Sequence, residues 1–335
     1  MIPGSGTLSW TVLGDDDVPV VPVDHNYSAD REAVSLVSCE RFELSLCLPS
    51  PIERLNDSRL QDSGIELWLK RDDLIHPDVP GNKWRKLKYN LAAAANANQV
   101  TLLTFGGAYS NHIRATAAAG RFCGFSTIGI IRGEEHLPLN HSLSYAVDHG
   151  MRLSYLNRTD YRRKNDPQVI DELRREFGPF YLLPEGGSNE LAARGCAEIP
   201  AEIEMDFDVI CCPCGTGATL AGIASGIDFR QHAIGFSALK GGQFLARDVV
   251  DLQTMASGYT TENWHIEYGF HCGGFARRNA DLDAFISDFT VRNQIALDRI
   301  YVAKMMYGIY SMARQGIFRS GTRIVAVITG RALPD

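Results

Sequence analysis

The chain has 335 residues, 45% hydrophobic and 22% charged, which excludes a disordered, collagen-like or disulfide-stapled miniature and leaves room for about two domains. Forty acidic against 33 basic residues give a net charge of −7 spread without long blocks, so no nucleic-acid partner is expected. The apolar runs, such as Leu91–Ala95 and Val209–Cys212, fall far short of the roughly 18 residues of a membrane span, and no membrane partner is expected.

Residues 1–45, with Gly4, Gly6, Gly14 and the run Asp15-Asp16-Asp17, read as an N-terminal extension without a motif. Met1–Trp10 has neither a basic start nor a long apolar stretch, so a cytoplasmic location is expected. The eight cysteines scatter without a disulfide framework and read as reduced thiols. Cys211, Cys212 and Cys214 sit on a predicted strand where adjacent side chains face opposite ways, and no second Cys/His pair stands at zinc spacing. No metal is expected.

Beyond about Leu48, helix Lys83–Ala97, strand Val100–Phe105, helix Asn111–Phe122 and strand Thr127–Ile131 follow one another. Helices Asn140–His149 and Pro167–Phe177 come next, then strand Phe180–Leu183 and helix Glu190–Glu204. Strand Phe207–Cys212, helix Ala218–Ile227, strand His232–Phe236, helices Leu282–Arg292 and Ala303–Gln315, and strand Arg323–Ile328 complete the series. Repeated alternation with nearly continuous apolar strands predicts an α/β fold of mainly parallel, twisted open sheets. One sheet would be very wide, so the reading is two sheets with a cleft between them.

Ligands in such folds bind where strand ends feed helix N-termini. Four junctions qualify. Cys214-Gly215-Thr216-Gly217-Ala218-Thr219 is either a plain glycine-rich turn or a cradle of backbone N–H groups for a phosphate. It lacks a P-loop lysine and the G-x-G-x-x-G spacing, which disfavours ATP and NAD. Gly81-Asn82-Lys83 holds one of only seven lysines, against 26 arginines, and Lys86 lies one turn on. Lys83 and Lys86 form either a solvated basic face or a desolvated pair with a nucleophilic amine. In Gly106–His112, Ser110 is either a helix cap or a donor to a bound oxygen. The fourth junction is Gly186-Gly187-Ser188-Asn189.

Taken in order, these junctions resemble the 1-aminocyclopropane-1-carboxylate deaminase and D-cysteine desulfhydrase family of fold-type II, tryptophan synthase β-like enzymes. The resemblance runs from about Pro51 to Gly330 and rests on Lys70-Arg71-Asp72-Asp73-Leu74, Gly81–Leu87, Gly106–His112, Pro184–Asn189, Tyr301–Lys304 and Thr329-Gly330. It implies pyridoxal 5′-phosphate as cofactor, carried as an internal aldimine by Lys83, which also serves as the proton-transfer base. Asn111 is implied at the phenolic oxygen, and Ser110 at the substrate carboxylate or in proton transfer. Lys86 with Gly215, Thr216, Gly217, Ala218 and Thr219 is implied at the phosphate, Tyr301 on the substrate side, and Thr329 beside the pyridine nitrogen.

The deaminase branch has Glu at position 302, Gln at 112 and Leu at 329; here these are Val302, His112 and Thr329, the last two as in the desulfhydrases. Val302 replaces the hydroxyl residue expected in that branch. Phe270–Phe275 stands roughly where the family has a Tyr-containing substrate loop, which makes His271 or Tyr268 a candidate there; the substrate set the resemblance implies is Ser110, Asn111, His112, Tyr301 and His271. The implied domains are a large cofactor-binding part (46–86 and 180–335) and a small part (87–179). The implied activity is β-elimination from a small, D-cysteine-like amino acid, giving an α-keto acid and ammonia. Cyclopropane ring opening to 2-oxobutanoate, or a silent homologue that binds the cofactor or another phosphometabolite, is the alternative. A homodimer is implied by fold-level analogy.

Overall fold

The computed structural model describes residues 44–332, so the expected extension 1–45 lies outside it but for its last two residues, as does Cys39. Its strands are β1 (Ile52–Leu55), β2 (Glu66–Lys70), β3 (Thr101–Gly106), β4 (Ser126–Arg132), β5 (Met151–Leu156), β6 (Tyr181–Leu183), β7 (Val209–Cys214), β8 (His232–Ser237), β9 (Trp264–Glu267) and β10 (Arg323–Val327). They build two sheets. The larger has the order β1-β2-β10-β7-β8-β9, antiparallel only between β1 and β2. The smaller, β5-β4-β3-β6, is wholly parallel. The architecture is thus α/β with two mainly parallel sheets.

Alternation along each buried strand sends side chains into two cores. In β10, Ile324 and Ala326 face helices Ala280–Asn293 and Val302–Arg314, while Val325 and Val327 face helices Glu190–Cys196 and Ala218–Gly226. Cys211 likewise lies in the first core, Cys212 and Cys214 in the second, so the three thiols do not converge. Helices Asn82–Asn96 and Asn111–Cys123 cover one face of the smaller sheet through Leu87, Leu91, Ala115 and Ala118. Helix Pro167–Phe177 covers the other through Val169, Ile170 and Leu173.

Several boundaries differ from the sequence expectation, each for a local reason. The helix expected over 190–204 is two pieces, Glu190–Cys196 and Glu198–Ala201, because Pro200 lacks an N–H and its ring clashes with the preceding turn. Strands β1, β5 and β9 escape a reading based on apolar runs because they are sheet edges with polar, partly exposed residues. Strand β6 begins just past the boundary expected at 180 but pairs with β3 in the smaller sheet. The boundary expected at 86/87 falls inside helix Asn82–Asn96.

That helix is anchored at its base by a buried ionic cluster. Arg85 makes paired hydrogen bonds to Asp72 (2.7 and 2.8 Å) and to Glu202 (2.8 and 2.8 Å). Lys70 Nζ donates to Glu202 at 2.7 Å and to Ser50 O at 2.6 Å. Bidentate geometry and complete pairing let these charges leave water.

Candidate active site

The carboxyl ends of β3, β7 and β10 open onto one cleft of about 1380 Å³, larger than the roughly 300–1,000 Å³ of an ordinary ligand pocket. It has room for a cofactor and a substrate together. Lys83, Lys86, Ser110, Asn111, Gly215, Thr216, Tyr301 and Thr329 all line it, although they come from five separate stretches of chain.

Lys83 is placed by Gly81. That residue has φ +61°, and a Cβ there would lie 1.7 Å from Thr329 O, so only glycine lets the chain turn this tightly under β10. Asn82 N–H then donates to Thr329 O at 3.2 Å, and Asn82 Nδ2 donates to Thr219 Oγ1 at 3.0 Å. These bonds fasten the start of the lysine helix to both β10 and the 215–219 loop. Lys83 Nζ donates to Asn82 Oδ1 at 3.2 Å, and Lys86 Nζ donates to Thr216 Oγ1 at 3.3 Å. Both amines are bonded to neutral oxygens. Burial and the neighbouring Lys86 charge lower the Lys83 pKa to about 7, and burial lowers that of Lys86 as well. Lys86 is buried and Lys83 half-buried at the cleft, so the two do not form a solvated basic face.

The 215–219 loop feeds the N-terminus of the buried helix Ala218–Gly226, whose first amides lack intrahelical partners. Ser188 Oγ donates to Thr216 O at 3.0 Å and steadies the turn. Ala218 contributes main chain only, since its side chain is in the core. Opposite, Ser110 Oγ caps helix Asn111–Cys123 by accepting Ile113 N–H at 3.3 Å, which leaves its own proton to donate. Cap and donor are compatible roles.

His112 is buried, and burial with the charges of Lys83 and Lys86 drives its pKa well below the usual histidine value. Thr104 has a single hydroxyl proton, which goes to Leu183 O at 3.0 Å, so its contact with His112 Nε2 at 2.8 Å is the ring donating. The ring is therefore neutral with the proton on Nε2, and Nδ1 is an acceptor with no partner among the described residues. Tyr301 stands over Gly215, and burial together with Asp298 and Glu185 raises its pKa, keeping the phenol protonated as a donor.

His271 is not part of this wall. Its Nδ1 accepts Gly273 N–H at 3.0 Å within its own loop, and the residues of that segment lining the cleft are Phe275, Ala276 and Arg278. Tyr268 packs against the core of the larger sheet rather than the cleft. Asp298 is the residue that motif reading passes over. Buried in the cleft wall, it accepts Tyr301 N–H at 2.6 Å and Val302 N–H at 3.3 Å and so fixes where Tyr301 begins. An acidic residue four positions ahead of an apolar helix is the available signal.

Two amines bonded to neutral oxygens, a run of loop amides at a helix start and a buried ring nitrogen unpartnered among the described residues together suit an aldehyde-bearing aromatic phosphate. An α/β enzyme with its cofactor cleft between two mainly parallel sheets is the class these features define. The chain matches the family described as pyridoxal-phosphate dependent enzyme over residues 45–330, and it belongs to that family. It is 28% identical over 311 residues to the mitochondrial bifunctional D-cysteine desulfhydrase/1-aminocyclopropane-1-carboxylate deaminase of Arabidopsis thaliana, covering 85% of this chain and 77% of that protein. It is 27% identical over 317 residues to D-cysteine desulfhydrase of Salmonella paratyphi A, covering 87% and 94%. A crystal structure of an ACC deaminase homologue superposes with a TM-score of 0.74 at 26% identity, covering 87% of this chain and 91% of that one. The fold is accordingly fold-type II, and the cofactor is pyridoxal phosphate. No helix among the described residues is long and apolar enough to cross a membrane.

Proposed function

We propose that this enzyme removes the β-substituent of a small, D-cysteine-like amino acid, giving an α-keto acid and ammonia. The observation that carries the reading is Lys83: an amine lowered to a pKa of about 7, within one cleft with the 215–219 loop and Tyr301. When bound, pyridoxal phosphate supplies an aldehyde that condenses with amines and a conjugated ring that takes up the electron pair of the bond that breaks.

The protein's own groups do the rest. Lys86 and the amides of 215–219 would hold the phosphate, Asn111 the phenolic oxygen, and Thr329 would serve the pyridine nitrogen. Ser110 donates to the substrate carboxylate, and the neutral His112 lines that side without carrying charge. Lys83 takes the α-proton, thiolate departs from the β-carbon, and Tyr301 remains protonated as a donor on the substrate side. The released unsaturated amine hydrolyses to keto acid and ammonia.

Val302 favours elimination over ring opening. It is fully buried in the apolar core, so it offers the cofactor ring no carboxylate of the kind that stabilises a protonated pyridine. A cyclopropane substrate also lacks the α-proton that Lys83 removes. The second reading, 1-aminocyclopropane-1-carboxylate deaminase, draws on Tyr301 and on the bifunctional name of the Arabidopsis relative. The division into a cofactor-binding and a smaller domain, with its boundary moved to follow β6, belongs to the same proposal. So do a cytoplasmic location, as the sequence leads one to expect, and a homodimer, by analogy of fold.

A panel of D- and L-amino acids plus the cyclopropane acid, assayed for sulfide and keto acid, tests the reading. Sulfide from D-cysteine with no 2-oxobutanoate from the cyclopropane acid is expected. The reverse pattern overturns it in favour of the deaminase. No turnover by protein with intact cofactor absorbance overturns it in favour of a silent binding protein.

A further inference from the structure

Lys304 is 1% exposed, one turn beyond Tyr301 in helix Val302–Arg314, and has no part in the chemistry above. Its Nζ donates to Gly274 O at 2.7 Å and reaches Ala238 O at 3.5 Å. Among the described residues no carboxylate pairs with it. An ammonium taken from water into such a place is expensive unless carbonyl dipoles replace its hydration. The position therefore asks for an explanation beyond packing.

The segment it grips has little regular support. Cys272, Gly273, Gly274 and Ala276 all have positive φ, at 49°, 97°, 109° and 53°. The turn closes through Gly274 N–H to His271 O and Arg277 N–H to Gly274 O, each 3.0 Å. Side chains three or four residues apart share a helix face, and here that face meets the segment three times. Tyr301 meets the Phe275 ring edge-on at 6.0 Å, Lys304 holds the Gly274 carbonyl, and Gly308 leaves room for the Phe236 ring, 2.4 Å from a Cβ there, with Phe270 Cδ2 behind it at 3.0 Å. Phe275 and Ala276 line the cleft.

We propose that Lys304 is a positioning residue: its ammonium, seated between the carbonyl oxygens of Ala238 and Gly274, holds segment 270–276 so that Phe275 stands against Tyr301 and forms the substrate-side wall of the cleft. The inference rests on the reading of this cleft as the amino-acid site. Lysine serves where methionine would not, because methionine fills the same space but gives Gly274 O no second donor. Loss of the grip loosens the wall at 270–276, while Lys86 keeps its bond to Thr216 on the phosphate side.

Wild type, Lys304→Met, Phe275→Ala and the double variant, each loaded with pyridoxal phosphate, provide the test. Visible absorbance reads the cofactor side, and hydrogen exchange of the peptide spanning 270–277 reads the segment without substrate. Steady-state kinetics on D-cysteine separate KM from kcat. In Lys304→Met, unchanged absorbance, exchange faster by about tenfold and KM raised by about tenfold with kcat nearly constant are expected, with Phe275→Ala adding little to it. Unchanged exchange, or fully additive effects of the two substitutions, overturns the proposal. Should Lys304→Met not fold, Phe275→Ala decides alone, and an unchanged KM overturns it. If none of the proteins acts on D-cysteine, the substrate reading fails, while the exchange comparison still decides the role of Lys304.

Discussion

Tyr301 and Gly215 are matched to each other: a Cβ on Gly215 would lie 2.9 Å from Tyr301 Cε1 and 3.6 Å from its hydroxyl oxygen. Bringing the ring this close ties the substrate side of the cleft to the loop at the phosphate side. Gly215→Ala is expected to weaken cofactor binding about tenfold, or ~1.4 kcal/mol, by displacing either the loop or the ring. Tyr301→Ala in the same chain relieves the clash and returns most of that affinity without returning turnover. Absorbance titration of apoprotein with pyridoxal phosphate measures both, and strictly additive losses would count against the contact.

The lowered pKa of Lys83 sets the pH dependence of cofactor capture. Below about 7 the amine is protonated and cannot attack an aldehyde; above it the neutral amine dominates. Capture of pyridoxal phosphate by apoprotein, followed by stopped-flow absorbance, is expected to rise with pH through about 7 and then level off. A midpoint near the ordinary lysine value would mean that the amine is solvated. Lys83→Ala abolishes the slow covalent phase.

Asp298 holds Tyr301 through two backbone N–H bonds to one carboxylate oxygen. Asp298→Ala should lower stability by about 1–2 kcal/mol, the usual loss for such a cap, and lower kcat/KM further through a displaced Tyr301. Asp298→Asn keeps an acceptor and is expected to retain most of the stability. Urea unfolding of the three proteins decides; equal midpoints for wild type and Asp298→Ala would refute the capping role.

The cluster under the lysine helix makes the fold sensitive to acid. Burial alone would raise the Glu202 pKa, but hydrogen bonds and charge from Arg85 and Lys70 outweigh it and hold the group at about 2. A folded pKa below the unfolded value of 4.5 means full stabilisation above about 4.5, lost progressively as pH falls toward 2. Unfolding midpoints across this window should therefore drop more steeply for wild type than for Glu202→Gln. Arg85→Met, which leaves the buried Asp72 carboxylate without its cationic partner, is expected to destabilise by about 3–5 kcal/mol at neutral pH.

Much of the architecture is legible in single stretches of chain. The apolar runs at 101–106, 126–132, 209–214 and 323–327 are buried on both faces, so composition alone reports them as parallel strands. The opposite facing of Cys211 and Cys212 follows from the two-residue period of a strand. Gly81-Asn82-Lys83, Ser110-Asn111 and Gly215–Thr219 are visible because strand-to-helix junctions that bind ligands need particular residue types. Edge strands such as β1 and β9 are not, since half of each faces away from the core.

Only the tertiary structure decides what those junctions become together. Lys86 and Thr216 stand 130 positions apart and meet at 3.3 Å because the crossover helices return each strand end to one cleft. Until they meet, Lys83 and Lys86 are two cations on a helix; desolvation, which shifts their pKa values, depends on distant walls closing around them. The same holds for His271, whose nitrogen is taken by its own loop, and for Lys304, which reads as an ordinary helical lysine until the carbonyls of 238 and 274 surround it. Local periodicity reports which face of an element is dry, and dryness around a single charged atom is a property of the assembled whole.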